Sequence, residues 1–137
     1  MSECKLPKSL SCFSLARHEG EYETWPLETE LYFNGQPTCT EVPGYVLEAQ
    51  YSLDNGFLLV TTWDCPYEEM ATFILLDEDL ELLSRTDLGV CQATGDFKDA
   101  QWLDGKKLTF RFFNEEKWQL TIMGKKEGRD LVLAKID

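Results

Sequence analysis

The sequence predicts an all-β protein: antiparallel meanders forming a β-sandwich or partial barrel, with two blade-like repeats. Three observations predict it. Apolar residues recur with period two through residues 44–53, turn-forming Gly, Asp, Asn and Pro separate short β-prone runs, and helical periodicity is absent. With 137 residues, 43% hydrophobic and 12% aromatic, the chain reads as one all-β domain over 1–137 with side chains bulky enough to fill a core.

At the start of the chain, Lys5 and Lys8 precede "SLSCFSLA". That run is short, broken by serines and followed directly by Arg17, His18 and Glu19, so it is not read as an export signal. No stretch approaches the roughly 20 apolar residues of a membrane-spanning helix. Within residues 10–34, the stretches 10–17 and 29–34 offer short strands, and Pro26, Pro37 and Pro43 read as punctuation of the connections. In "GYVLEAQYSL", Tyr45, Leu47, Ala49, Tyr51 and Leu53 make one face against Val46, Glu48, Gln50 and Ser52. Asp54-Asn55-Gly56 then supplies a turn tolerant of positive φ, and "FLLVTTW" continues as the partner strand. "ATFILLD" and "LELLSRTDL" flank the acidic run Asp77-Glu78-Asp79 as a second hairpin. Proline suits a first helical position, so Pro66–Met70 is compatible with a short helical turn.

The same grammar returns further on. "AQYSLDNGFLLVT" (49–61) aligns with "AQWLDGKKLTF" (100–110), and the strand-turn-strand that follows is also similar in kind. Two four-stranded meanders are therefore expected, over about residues 44–89 and 97–137. "AQWLDGKKLTF" resembles the tryptophan-to-Asp-Gly hairpin of Tol-type β-propeller blades, over about eleven residues in each copy. A propeller needs at least four blades and this chain has length for about two and a half. The resemblance thus implies blade-like sheets that bury their apolar faces on one another, or curl into a partial barrel.

The side chains that most often carry chemistry are scarce. His18 is the sole histidine, set in a charged stretch and read as a surface residue, which leaves little for Ser–His–Asp, Cys–His or zinc sites. Five cysteines (Cys4, Cys12, Cys39, Cys65, Cys91) are odd in number and widely spaced, which favours reduced thiols in a cytoplasm over a disulfide framework. Cys65 sits among Asp64, Glu68 and Glu69, charges that disfavour a reactive thiolate. Asp77–Asp79 with Glu81 lacks the spacing of a calcium loop, and Gly105-Lys106-Lys107 lacks that of a phosphate loop. No catalytic residue, metal or cofactor is expected.

Charge points instead to a partner. Of the net −12, residues 101–137 contribute +2 (eight basic against six acidic residues), so residues 1–100 carry −14. Such a surface repels phosphate backbones and attracts basic proteins, so neither nucleic acid nor a membrane is an expected partner. Asp64, Glu68 and Glu69 follow one strand, and the Arg85–Asp99 connection at the same end of a meander adds Asp87, Asp96 and Asp99. Trp63 and Tyr67 stand beside them as aromatic anchors, and together these eight residues form the candidate partner-binding set. Small size, strong acidity, a β meander and few catalytic groups resemble, in type and without a shared motif, the immunity proteins of bacterial toxin systems. That resemblance implies a cytoplasmic, cofactor-free inhibitor that blocks a cognate basic toxin, often a nuclease, by steric and electrostatic occlusion. A competing reading is a barrel-like carrier in which Trp25, Trp63, Trp102 and Trp118 line a cavity for a small apolar ligand.

If no thiol takes part in function, Cys65→Ser leaves affinity for the partner within about threefold, well under 1 kcal/mol. A hundredfold loss in a titration, with the folded signal intact, would restore Cys65 as a functional group.

Overall fold

A computed structural model of the chain describes residues 7–21, 24–25, 28–54, 56–62, 68–91, 97–112, 116–123 and 130–136. Among them run twelve strands: β1 (Lys8–Ser9), β2 (Phe13–Leu15), β3 (Glu28–Phe33), β4 (Gln36–Pro43), β5 (Val46–Leu53), β6 (Gly56–Thr62), β7 (Glu68–Leu76), β8 (Leu82–Cys91), β9 (Lys98–Asp104), β10 (Lys107–Phe112), β11 (Glu116–Met123) and β12 (Asp130–Lys135). They pair antiparallel into three sheets. The central sheet is ordered β1-β5-β6-β7-β8, the C-terminal sheet β12-β11-β10-β9 and the N-terminal sheet β2-β3-β4. The chain is all-β, and among the described residues no helix is long and apolar enough to cross a membrane.

The three sheets stack, and among the described residues none closes into a barrel. On one face of the central sheet, Leu58, Val60, Phe73 and Leu75 pack against Trp102, Leu108, Phe110 and Leu120 of the C-terminal sheet. On its other face, Leu59, Ile74 and Leu76 pack against Phe13, Leu31 and Val42 of the N-terminal sheet. The third layer has a plain physical cause. In β6 and in residues 71–76 of β7 nearly every side chain is buried, so both faces of these strands must be covered. Without the N-terminal sheet, Leu59, Ile74 and Leu76 would face water at roughly 2 kcal/mol apiece.

The two larger sheets stack first strand on first and last on last. Tyr51 of β5 meets Trp102 of β9 edge to face at 5.3 Å. At the other edge, Ser84 of β8 donates its hydroxyl to Asp130 of β12 at 2.9 Å. Lys98 to Ala100 lie beside Leu47 to Tyr51, so β9 begins at the same end of the stack as β5.

Period two is interrupted once in β5. Leu47 pairs with Thr61 but Ala49 pairs with Val60, so Glu48 is an extra residue and the strand bulges there. The expected single face of Tyr45, Leu47, Ala49, Tyr51 and Leu53 is therefore split. Leu47 turns to the N-terminal sheet, while Ala49, Tyr51 and Leu53 turn to the C-terminal one. Pro37 and Pro43 lie inside β4 and not in connections. β4 is an outermost strand, the place in a sheet where proline is tolerated because one side of the strand has no neighbour to bond. Glu68–Met70 are strand, paired with Gly89–Cys91, which corrects the expected helical turn over that part; residues 63–67 lie outside the described residues.

The hairpin tips explain two glycine-and-acid clusters. The Asp77 carboxylate accepts the backbone N–H of Asp79 (2.8 Å) and Glu81 (3.0 Å), so the 77–81 acids begin with a turn-closing group. Gly56 has φ +154°, and a Cβ there would lie 2.0 Å from the Leu76 carbonyl oxygen. Gly56→Ala is thus expected to cost about 2–4 kcal/mol in urea unfolding. Gly35 has φ +79° but open space around it, so Gly35→Ala is expected to cost only about 1 kcal/mol. Equal costs would mean that the close approach at Gly56 is not what demands glycine.

Candidate functional site

Of the eight candidate partner-binding residues, the described Asp87 and Asp99 lie on different sheets. Trp63, Asp64, Tyr67 and Asp96 lie outside the described residues. Glu68 and Glu69 open β7, opposite Cys91 and Val90, at the end of the stack where β5 begins. Asp87 is not in a connection: it sits within β8, opposite Thr72. Its carboxylate accepts the Thr72 hydroxyl at 2.8 Å and lies 3.6 Å from Arg85, which also reaches Glu28 of β3 at 3.8 Å. Asp87 therefore belongs to a polar staple between the central and N-terminal sheets. Asp99 opens β9 in a left-handed conformation, φ 54°, with Arg111 at 3.4 Å. Because β9 overlies β5 and not β8, Asp87 and Asp99 stand at opposite edges, three strand spacings or roughly 14 Å apart.

A second constellation forms where the central and N-terminal sheets splay. The chain crosses between them after Leu10, whose N–H bonds the Gln50 carbonyl at 2.8 Å. Gln50 then copies a backbone pairing with its side chain: its Oε1 accepts the Phe13 N–H (2.8 Å) and its Nε2 donates to the Phe13 carbonyl (3.1 Å). Beyond this bridge opens a cleft of about 490 Å³, lined among others by Leu15, Arg17, His18, Trp25, Tyr45 and Leu47.

His18, read from the sequence as a surface residue, is half-buried in this cleft. Its ring lies 5.4 Å from Trp25 and 5.2 Å from Tyr45, and those two meet edge to face at 5.0 Å. The Thr29 hydroxyl donates to the Gly44 carbonyl (2.7 Å), which can only accept. The Thr29 oxygen is left to accept from His18 Nε2 at 2.9 Å, so Nε2 carries a proton. Loss of surrounding water pushes the Tyr45 hydroxyl above its ordinary pKa of 10.0, so it stays neutral at physiological pH. The arrangement is a hydrogen-bonded aromatic corner, in which the hydroxyl beside His18, that of Thr29, is already committed to the Gly44 carbonyl. Sequence reading missed it because its members come from residues 18, 25, 29 and 45, which share no spacing. The legible signal was a half-polar, aromatic-rich N-terminal segment next to an isolated histidine.

No family model, curated protein or solved structure matches this chain.

Thr29→Val keeps the shape of this corner and removes its relay, leaving the Gly44 carbonyl and His18 Nε2 without their partner. A loss of about 1–3 kcal/mol in denaturant unfolding is expected, together with a change in tryptophan emission from Trp25. A neutral Thr29→Val would mean that water replaces the hydroxyl without penalty.

Proposed function

We propose that this protein is an acidic binding protein of the immunity type, which neutralises a basic protein toxin by covering its cationic cleft. The observation that carries the reading is where the charge lies. Residues 1–100 hold a net −14, and their described carboxylates are largely solvent-facing: Glu19, Glu21, Glu41, Glu48, Asp54, Glu78, Asp79 and Glu81 are all exposed. A field of that sign accelerates encounter with a basic surface and repels nucleic acid, so carboxylates can stand in for phosphates at a nuclease cleft. Occlusion needs no cofactor and no catalytic group on this chain. The cytoplasm, where such an inhibitor protects the cell, is the compartment this reading assigns. The competing carrier reading is supported less: the space between the central and C-terminal sheets is filled by rings such as Phe73, Phe97 and Phe110, 5.0–6.2 Å apart, which leaves the Trp25 cleft as the cavity it would have to use.

The strand end bearing Glu68 and Glu69 is the proposed contact, with Trp63, Asp64 and Tyr67 as its neighbours in sequence. The test co-expresses this protein with the product of an adjacent reading frame. Growth arrest by that product alone, relieved by this protein, is the expected result. In the purified pair, Glu68→Lys with Glu69→Lys should slow association about tenfold or more and flatten its dependence on salt. Lys125→Glu with Lys126→Glu should change it by less than about threefold. If the lysine reversals abolish binding and the glutamate reversals do not, the contact lies on the other part of the molecule. If no adjacent product is toxic, the immunity reading itself fails.

A further inference from the structure

The cleft between the central and N-terminal sheets exists because the chain leaves β5 early. β1 runs beside β5 at Ser52 and Tyr51, and after Leu10 the chain crosses to the N-terminal sheet as β2. Further along β5, Val46 and Leu47 border the cleft of about 490 Å³. That volume falls within the roughly 300–1,000 Å³ of small-molecule sites. Val46 is 38% exposed there, so apolar surface is open to a ligand at the mouth.

The edge of β2 turns hydrogen-bonding groups toward the same space. The Asn34 N–H donates to the Cys12 carbonyl (2.7 Å) and the Ala16 N–H to the Glu30 carbonyl (3.0 Å), so the backbone groups of Cys12 and Ala16 face β3. In an antiparallel strand the groups of the alternate residues point the opposite way. Those of Phe13 do, and the Gln50 side-chain amide takes both. Leu15, two residues on, points its N–H and C=O to that same side and lines the cleft. The charge of the cleft is opposite to that of the molecule. Arg17 lines it and, among the described lining residues, no carboxylate does, in a chain with 25 acidic and 13 basic residues. Arginine keeps its charge at any working pH. The aromatic wall is held in place, because His18 is tied through Thr29 to the Gly44 carbonyl and the rings of Trp25 and Tyr45 lie 5.4 and 5.2 Å from it. A wall fixed beforehand loses little freedom when a ligand settles on it.

We propose that this cleft binds a small aromatic carboxylate. The ligand's ring lies against Trp25, Tyr45 and Leu47, and its carboxylate accepts from the Arg17 guanidinium and the Leu15 N–H. Charge-assisted bonds select the acid over its neutral amide, and the rings select it over a carboxylate that has no ring. The chain's net charge of −12 opposes the approach of any anion, so affinity comes from contact and not from steering. For a ligand of about ten non-hydrogen atoms in an open cleft, a Kd on the order of 0.1–1 mM is expected. The assignment does not rest on the inhibitor reading, which uses the strand end at Glu68 and Glu69.

The experiment titrates the full chain with phenylacetate and follows its amide and indole signals by heteronuclear NMR. Shifts of the Leu15 amide and the Trp25 indole that saturate at millimolar phenylacetate are expected. Phenylacetamide and acetate should each bind at least about tenfold more weakly. Arg17 is exposed, so Arg17→Gln leaves the core undisturbed. It should weaken phenylacetate at least about tenfold and leave phenylacetamide unchanged, a selective loss that misfolding cannot produce. Trp25→Leu should weaken acid and amide alike. Absence of any shift at about ten times the expected Kd overturns the proposal. So does an acid that binds no better than its amide, since the cleft would then read the ring alone. Arg17→Gln that binds phenylacetate as the wild type does overturns it equally. No toxin enters the titration, so its failure leaves the inhibitor reading standing, and failure of that reading leaves this one.

Discussion

Burial of the central sheet on both faces is the constraint on which the other features depend. A strand covered on one side can alternate apolar and polar residues, but β6 and residues 71–76 of β7 have no solvent side to receive polar ones. Their polar members are threonines, whose small hydroxyls find acceptors without leaving the core. Thr61 donates to the Pro43 carbonyl at 2.7 Å, Thr62 to Glu48 at 2.6 Å and Thr72 to Asp87 at 2.8 Å. A buried hydroxyl without such a bond would cost about 1–3 kcal/mol, so each of these acceptors is fixed in place by the layer it serves. This explains the bulge at Glu48: the extra residue keeps a carboxylate near Thr62 and lets one strand send Leu47 into one core and Tyr51 into the other. Gly44 follows from the same crowding. A Cβ there would lie 2.6 Å from Thr61, and its φ of +104° suits glycine alone.

The all-β class and the hairpins at 53–56 and 76–82 are legible because turn chemistry is local, set by residues such as Asp54, Gly56 and Asp77. The third layer was legible too, but in a different signal from period two. "FLLV" and "ATFILL" are unbroken apolar runs, the mark of strands covered on both sides, and a two-layer sandwich has no place for them. The bulge could not be read, since "VLEAQY" alternates cleanly and nothing in it says that Glu48 falls out of register. Nor could the assignment of Pro37 to a strand, because whether proline is tolerated depends on that strand's being an edge, a property of the finished sheet. The candidate acidic site was legible least of all. Asp87 looked like a loop acid and is a structural acceptor, and Asp99 looked like its neighbour and belongs to another sheet. Sequence proximity in a meander puts residues at one end of a layer; it does not say across which edge they face.

The charges divide by the same logic of layers. Some exposed acids are held by specific donors: Asp87 by Thr72 and Arg85, Glu48 by Thr62. The solvent-facing pairs are different in kind, since Glu30 against Glu41 and Arg111 against Lys117 oppose the sheet that carries them. A fold that depended on its surface would not keep them. Among the described residues the two cores hold twenty buried apolar side chains, and burial at roughly 2 kcal/mol each is far larger than a cross-strand repulsion of up to about 1 kcal/mol. Conformational entropy takes back most of that gain, but it does so whatever the surface charges are.

A three-layer stack has a further consequence for how such surfaces act. The central sheet meets both neighbours, so the outer faces are separated by two interlayer spacings, about 20 Å, and by two dry cores. At physiological salt the screening length is about 8 Å, so through solvent the acidic and basic faces of one molecule scarcely feel each other. They are electrostatically independent, unlike neighbouring patches on one face, which would neutralise each other by side-chain rearrangement. Lys117 cannot reach Glu41 within the molecule, however its side chain turns. The layer that the core requires is therefore also what keeps the two charged faces apart, so surface ion pairs such as Arg111 with Asp99 and Lys135 with Glu116 form within a layer and not across the stack.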